Sequence, residues 1–387
     1  MSQFSVIDNS SLPNTLTPAT PRLIEAGDAR ALITDRPWHI AGKNDADAAS
    51  TIHPNHSGIF LTGQRASVRA ATLRRQHPGT PMIVEPRATT HYWADEDAPF
   101  ALADRSGNFD TNLPLEAMLD QQRAAGDPIA MTPTGQIRVG ESETLKAVIE
   151  SANDLDRDDV LVSVPLAANW LSQATSTDQV IRVLDRSRHP VALSFTDGIS
   201  PLGSMKRMRA HRRLVATTTA EVLAYRIDLN GLDALAQGAM AAAIGAYPTK
   251  RRLDPVPMKP KTGGPQGEVL SPQMLIPDML RIMPSMWMRN TWFLNAPSFA
   301  CSCAVCDGDA IDRLHESDLE RALGHRHNVL GFELLLDTML AVPRANRPAT
   351  WASLVAGAID TYPQLEAHLG RPLKIPNDLG VWASPVT

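Results

Sequence analysis

Short apolar runs alternate with helical stretches along most of this chain, and this alternation restricts the folds open to it. The runs lie at residues 58–62, 81–85, 100–104, 159–165, 190–197, 221–228 and 240–247. Helical periodicity separates many of them, as in residues 143–152 and 232–239. Strands that alternate with helices indicate βαβ units and a parallel sheet. Seven runs, with room for an eighth before the cysteines, predict an α/β fold, a (β/α)8 TIM-like barrel rather than an open doubly wound sheet.

The 387 residues are enough for one barrel with additions at its ends. Residues 1–50 are rich in Ser, Thr, Pro, Asn and Asp and predict an irregular N-terminal arm. The barrel is expected at residues 51–295, interrupted by a Pro- and Gly-rich loop at 253–267. Residues 296–387 hold the cysteines, followed by helical periodicity with Pro breaks, and predict an appended subdomain with outer helices.

Composition excludes several classes of protein. The chain is 43% hydrophobic and 20% charged, as ordinary globular domains are. A net charge of −5 argues against coating nucleic acid by bulk charge. No dinucleotide fingerprint or P-loop motif follows any predicted strand. The sequence has neither an 18-residue apolar run nor the pattern of a signal peptide, which predicts a cytoplasmic location.

Basic residues nevertheless cluster locally. Lys206, Arg207, Arg209, Arg212 and Arg213 lie within eight residues, and a second cluster occupies residues 250–252. The first cluster follows a predicted strand end, where active sites of barrels are built, so it is predicted to contact nucleic-acid phosphates. The alternative is a solvated surface, which charge runs form more often.

All three cysteines lie within the six residues Cys301 to Cys306, as CSCAVC. An odd, tightly spaced set cannot form a disulfide framework, whereas three thiolates and one imidazole satisfy a tetrahedral zinc ion. The candidates for the fourth ligand are His315, His325 and His327. A four-ligand site is closed and structural, since a catalytic zinc keeps an open position. A zinc hydrolase is disfavoured further because no H-x-E accompanies the cysteines.

The cysteine motif, followed after twenty residues by His327-Asn328, resembles the zinc site of the tRNA-guanine transglycosylases and their DNA-acting paralogues. The resemblance implies that His327 is the fourth zinc ligand. It also implies a modified (β/α)8 barrel with a zinc-binding subdomain after its last strand. A homodimer that forms through the zinc region is a further expectation.

Three upstream segments are similar to the same family. Residues 104–109 (DRSGNF) resemble its active-site Asp-Ser-Gly-Gly-Phe segment, residues 131–134 its Thr-Pro-Glu stretch, and residues 248–252 its Pro-Thr-Arg segment. The first match implies that Asp104 is the acid/base residue. Where the family places its nucleophile, residues 242–247 contain no acid.

The nucleophile must therefore come from another strand end. Asp228 is the best remaining acid and Asp197 the next. The alternative for Asp228 is a structural role, as a partner of Arg226 or as a helix cap.

The resemblance implies a pentosyltransferase that exchanges guanine in a polynucleotide for a 7-deazaguanine such as 7-cyano-7-deazaguanine. Such an exchange passes through an oxocarbenium-like transition state and needs two carboxylates, here Asp104 and Asp228. Divergence of the catalytic segments favours DNA over tRNA as the polymer. The alternatives are a non-catalytic, zinc-braced barrel that binds nucleic acid or a protein, and a tRNA-guanine transglycosylase proper.

Overall fold

The strands of this chain pair in chain order around a ring. A computed structural model describes residues 16, 22–42, 48–102, 114–196, 200–256, 271–298, 300–314 and 317–386. Within them one eight-stranded parallel sheet runs β3-β2-β1-β8-β7-β6-β5-β4. Its strands are β1 (Trp38–Ala41), β2 (Gly58–Leu61), β3 (Met82–Val84), β4 (Ala130–Met131), β5 (Val160–Ala167), β6 (Val191–Thr196), β7 (Val222–Ile227) and β8 (Ala241–Gly245). The predicted (β/α)8 TIM-like barrel is confirmed.

Helices follow most strands and pack outside them. They are α1 (Ala29–Ile33), α2 (Ala48–Thr51), α3 (Ala66–Gln76), α4 (Ala88–His91), α5 (Leu115–Ala124), α6 (Ser142–Asn153), α7 (Ala174–Leu184), α8 (Met205–Thr217), α9 (Asn230–Ala236), α10 (Ser285–Trp287), α11 (Asp318–Leu340), α12 (Arg347–Leu369) and α13 (Asn377–Trp382). An antiparallel hairpin of β9 (Gln273–Ile276) and β10 (Arg281–Pro284) lies between β8 and the cysteines.

Side chains close the seam between β3 and β4, which no strand ladder spans in the described residues. The Asp127 carboxylate accepts a hydrogen bond from Val84 N at 3.3 Å and pairs with the Arg74 guanidinium. Arg74 also donates to the Met82 carbonyl at 2.7 Å. Burial raises the pKa of Asp127 to about 6, against the opposing effect of Arg74. The barrel is thus completed at this seam by polar contacts.

The barrel interior is filled by large apolar side chains. Trp38 packs on Phe60 and Phe60 on Tyr225, each pair with ring centroids 4.9 Å apart. Ile83 and Met131 belong to the same buried cluster. These side chains come from five strands, so the interior is a packed core that leaves the chemistry to the ends of the strands.

Three expectations about the strands were wrong. The central strand β1 lies inside the predicted irregular arm, because a four-residue strand in a Pro- and Asp-rich context gives little periodicity. The run at 100–104 is not a strand where it is described: Phe100 makes an isolated bridge to Thr134, and the fourth strand is the two-residue β4. The run expected before the cysteines belongs to the β9–β10 hairpin, outside the barrel.

The C-terminal helices pack on the outside of the barrel, as expected. A capping box between Ser317 and Glu320 fixes the start of α11, which packs on β9, α2 and α9. Helix α12 is anchored by Trp351, whose indole N–H donates to Asp233 at 3.0 Å.

None of the described helices combines the length and the apolar character needed to cross a membrane.

Shortening the chain tests the position of β1. A chain that begins at residue 51 loses Trp38 and leaves an unpaired gap between β2 and β8, so we expect no cooperative thermal unfolding by circular dichroism. A chain that begins at residue 22 keeps every strand of the described residues and should unfold cooperatively. Cooperative unfolding of the chain that begins at residue 51 would show that the barrel does not need β1.

Candidate functional site

The structure brings the four predicted metal ligands together. The Sγ atoms of Cys301, Cys303 and Cys306 lie 3.6, 3.4 and 3.4 Å from Nδ1 of His327. Cys306 and His327 are buried, and Cys301 and Cys303 are half-buried. These side chains form a group that could hold one metal ion.

The backbone folds the cysteine loop so that its thiols point to one centre. Cys301 N donates to the Asp309 carbonyl at 2.9 Å, and Cys306 N donates to the Cys303 carbonyl at 3.0 Å. The chain reverses at Asp307 and Gly308, which have φ angles of 52° and 86°. Glycine reaches this left-handed region without steric cost, and aspartate tolerates it better than most residues.

The pair His327-Asn328 joins this loop to the barrel. His327 Nε2 donates to the Leu275 carbonyl at 2.7 Å, which leaves Nδ1 to face the thiols. The side chain of Asn328 accepts from Leu275 N at 2.7 Å and donates to the carbonyls of Ala246 at 2.8 Å and Gln273 at 2.5 Å. His327 is therefore positioned to bind a metal ion, and Asn328 connects α11 to β9 and to the end of β8.

Electrostatics at the cysteine group favour a cation. Hydrogen bonds from the Cys301 and Cys306 thiols hold the pKa of the Cys303 thiol well below its usual range. Burial alone would lower the pKa of His327, but its hydrogen bonds to Cys303 and Cys306 outweigh burial and raise that pKa to about 10. A metal ion bound there would take the place of the thiol and imidazole protons.

Of the other two histidine candidates, the structure describes only His325, which is not part of this group. His325 stacks on the Tyr247 ring, with centroids 4.5 Å apart. His315 lies outside the described residues.

A buried ion pair crosses the mouth of the barrel, the end where the strands terminate. Glu85 follows β3 and Arg226 lies on β7, and these strands are opposite each other in the ring of eight. The Arg226 guanidinium makes a bidentate pair with Glu85, with Nε to Oε1 at 2.7 Å. Glu85 holds the pKa of Arg226 above its usual range although burial alone would lower it.

A β-bulge directs Arg226 to this position. The β7–β8 register shifts between Tyr225 and Ile227, and Arg226 has a φ of 53°. Tyr225 already points into the barrel, so regular alternation would turn Arg226 outward. Bulges re-aim side chains in this way and are common beside active sites. Sequence periodicity gave no sign of this pair.

Two cavities open at the mouth, one on each side of Arg252. The first mouth cavity, of about 390 Å³, is lined by Thr62, Glu85, Arg87, His91, Arg226 and Arg252, among others. The second mouth cavity, of about 400 Å³, is lined by Ser200, Asp228, Arg251, Arg252, Arg281 and Asp378, among others. Both cavities thus combine arginines with carboxylates.

Asp228 follows β7 directly and lines the second mouth cavity. Its Oδ1 accepts from Asn230 N at 3.0 Å and from Asn230 Nδ2 at 2.7 Å, so it caps the start of α9 through one oxygen. Among the described residues no hydrogen bond engages Oδ2. The alternative partner Arg226 is paired with Glu85 instead. The Asp228 carboxylate is therefore positioned by one oxygen and open to a ligand through the other.

The remaining acids divide into two groups. Asp104 and Asp197 lie outside the described residues, so their predicted roles stay predictions. Asp378, on α13, lines the same cavity as Asp228, and its pKa is raised by burial and by the negative charge of Asp228. Sequence reasoning missed Asp378, because only the packing of α13 against the barrel brings it near Asp228.

The basic cluster on α8 is largely engaged within the protein. Arg212 is buried, pairs with Asp233 at 3.1 Å and donates to the Ser384 carbonyl at 2.8 Å. Arg213 pairs with Asp178, and Arg207 donates to the side chain of Asn169 at 2.5 Å.

Of the five cations predicted to bind phosphates, Lys206 and Arg209 are the exposed ones. Arg212 is not exposed with them, because its guanidinium is held in the interface with the C-terminal residues, and its phosphate contact stays a prediction.

In the second cluster, Lys250 donates to Thr62 Oγ1 at 2.8 Å and Arg252 pairs with Asp254 at 3.2 Å. Arg251 is buried and donates to the carbonyls of Gly245 and Ala246, each at 3.0 Å. Burial lowers the pKa of Arg251 to about 10, although the nearby Asp228 opposes the shift. This cluster therefore borders both mouth cavities.

Comparison with known proteins gives no family. Neither a protein-family model nor a curated protein sequence matches the chain. Among solved structures, a chain from work on two fungal beta-1,4-galactanases is similar to this one. The two chains are 9% identical, the match covers 61% of this chain and 89% of that chain, and the TM-score is 0.30. A mandelate oxidase mutant with benzaldehyde gives 13% identity over 59% and 71%, with a TM-score of 0.28. Likenesses this distant carry no argument about function, and the barrel assignment depends on the strand pairing of the chain itself.

Substitution of Arg212 separates a structural from a phosphate-binding role. Arg212→Gln leaves Asp233 buried without its cation and should lower the free energy of unfolding by about 3–5 kcal/mol, measured by urea denaturation. The control Lys206→Gln, at an exposed site on the same helix, should change it by less than about 0.5 kcal/mol. Weakened polynucleotide binding by an Arg212→Gln protein of unchanged stability would support the original phosphate assignment.

Proposed function

We propose that this protein is a base-exchanging transglycosylase that replaces guanine in a polynucleotide with a 7-deazaguanine. The observation that carries the proposal is the position of Asp228, at the end of β7 in a cavity of about 400 Å³ that also holds Arg251, Arg252 and Arg281. A carboxylate beside arginines fits a nucleotide, since the acid can attack the sugar while the cations face phosphate. The resemblance of the cysteine motif to the guanine transglycosylases supports the same reaction.

In the proposed reaction the Asp228 carboxylate forms a bond to the anomeric carbon as the bond from that carbon to guanine N9 breaks. A second acid protonates the departing guanine. The incoming 7-deazaguanine then loses its N9 proton to that group, attacks the anomeric carbon and releases Asp228. Asp104, from the motif, or Asp378, from its place in the second mouth cavity, supplies the proton transfers. A raised pKa suits Asp378 to the role of acid.

We propose DNA rather than tRNA as the polymer, because the catalytic segments differ from those of the tRNA enzymes while the cysteine motif is kept. A base in a duplex must leave the stack to reach such a cavity. Arg87, Arg252 and Arg281 border the mouth cavities and would face the backbone of the extruded nucleotide.

A second candidate is a non-catalytic barrel that binds nucleic acid or a protein. One observation favours it: the segment after β8, Ala246-Tyr247-Pro248, contains no acid where the family places its nucleophile. Under this reading Asp228 only caps α9.

The metal at the cysteine group would be a structural zinc ion. Zinc–sulfur bonds of about 2.3 Å and zinc–nitrogen bonds of about 2.0–2.1 Å at tetrahedral angles place sulfur about 3.6 Å from nitrogen. The Sγ–Nδ1 distances of 3.4 to 3.6 Å match this value. Bound zinc would join the cysteine loop to α11 and, through His327 and Asn328, to the barrel.

Zinc content tests this assignment. X-ray absorption spectra of protein loaded with one equivalent of zinc should show the ion bound by three sulfurs and one nitrogen, and Cys303→Ser should lose this sulfur-bound zinc together with a clear fall in melting temperature. Ser302→Ala, at an exposed neighbouring position, is the matched control and should keep both. A Cys303→Ser protein with full sulfur-bound metal and unchanged melting would exclude the site.

Exchange of labelled guanine into duplex DNA and into tRNA, assayed side by side, tests the function. We expect incorporation into DNA, and Asp228→Asn should form no covalent adduct and lose exchange by a factor on the order of 10⁴. One of the variants Asp104→Asn and Asp378→Asn removes the proton-transfer residue. That variant should still bind the polynucleotide but should not catalyse exchange.

The control Asp360→Asn, at an exposed position on α12, should behave as the wild type. Exchange into tRNA alone would identify a tRNA enzyme. Binding without exchange by the wild-type protein would replace the proposal with the non-catalytic barrel.

A further inference from the structure

Three histidines and two acids meet at the opposite end of the barrel from the mouth. His39 is the second residue of β1, and His53 and His56 precede β2. Glu333 and Asp337 lie one turn apart on α11, so their side chains share a face of that helix. Neither the sequence motifs nor the proposed function uses this group.

Glu333 is fully buried and tightly held. His39 Nε2 lies 2.5 Å from Oε2, while His53 N donates to Oε1 at 3.0 Å and Ser57 Oγ donates to the same oxygen. A carboxylate oxygen accepts two hydrogen bonds, so Oε1 is saturated and Oε2 keeps one lone pair. Hydrogen bonds of this kind orient carboxylates that bind metals.

Asp337 is less well satisfied. Its Oδ2 lies 3.0 Å from His53 Nε2, and its Oδ1 lies 3.9 Å from His56 Nε2. Among the described residues no hydrogen bond reaches Oδ1, although that atom is buried. Burial and the negative charge of Glu333 raise the pKa of Asp337 to about 8. The buried Oδ1 atom of Asp337 is therefore an oxygen that a bound cation could satisfy.

We propose that His53, Glu333 and Asp337 form a second metal site, which takes a divalent first-row ion such as zinc or manganese. One ligand atom from each of these residues lies within 4.8 Å of the others, a span that one ion can bridge. Imidazole and carboxylate ligands suit these ions. The ion would replace the proton between His53 Nε2 and Asp337, and His56 is close enough to act as a further ligand.

The site would brace the barrel rather than act on substrate. It connects the segment before β2 to α11, the helix that also carries His327. Because it lies away from the mouth, its existence does not depend on the proposed transglycosylase activity.

Metal stoichiometry tests the proposal on the full-length chain. After saturation with zinc and dialysis, elemental analysis should find two ions per chain in the wild type and one in Asp337→Asn and in His53→Gln. Cys303→Ser should lose the other ion. Asp360→Asn is the matched acid-to-amide control and should keep two.

Asparagine mimics the protonated form of Asp337, so the metal-free fold should survive, as circular dichroism can verify. Electron paramagnetic resonance of manganese gives a second measurement, made on chain loaded with only one equivalent of zinc, which the thiolates of the cysteine site take in preference to the carboxylates. We expect one bound manganese ion in the wild type and none in Asp337→Asn. One ion in the wild type, unchanged in Asp337→Asn, together with no bound manganese, would reduce the cluster to histidine–carboxylate pairs and overturn the proposal.

Discussion

The side chain of Asn328 is the contact on which the C-terminal half of this structure depends. It is fully buried and makes hydrogen bonds to three residues in two segments: one at the end of β8 and two on β9. A buried amide left unsatisfied costs about 1–3 kcal/mol, so these partners fix its position. Because His327 is next to Asn328 and donates from Nε2 to the Leu275 carbonyl, the fixed position of Asn328 also fixes His327 beside the cysteine loop. A metal at the cysteines would therefore stabilise the β9–β10 hairpin and one wall of the barrel mouth.

The Glu85–Arg226 pair has a comparable role at the mouth itself. Both side chains are buried, and removal of two charges from water is repaid only when the geometry and the additional hydrogen bonds are good. Here the pair is bidentate, and Arg226 also donates to the carbonyls of Thr249 and Arg252 at 3.3 and 3.2 Å. The pair forms part of the wall of the first mouth cavity and leaves Asp228, two residues later, facing the second.

Local patterns predicted the parts of the fold that carry strong local signals. The apolar runs at β5 to β7 contain several β-branched residues and the run at β8 is a continuous apolar stretch, and the structure has strands at all four. The strand β1 was not predicted, because four residues give little periodicity. The partner of its histidine, Glu333, is 294 residues away in the chain and gives no local signal. The cations on α8 show the converse error. Their spacing indicated an exposed patch, but Arg212 faces the C-terminal residues, a contact that no local pattern encodes.

Local residue patterns were enough to predict the alternation that makes a barrel and the chemistry of the cysteine motif, because both depend on residues close together in the chain. They also placed Asp228 at a strand end, where barrels present their chemistry. Only the tertiary structure decided which distant side chains meet. Asp378 joins Asp228 through the packing of α13, Glu85 reaches Arg226 through a bulge, and the acids of α11 meet His53 across the outer wall. Such meetings depend on the packing of whole elements against one another, and residue spacing along the chain contains no direct record of it.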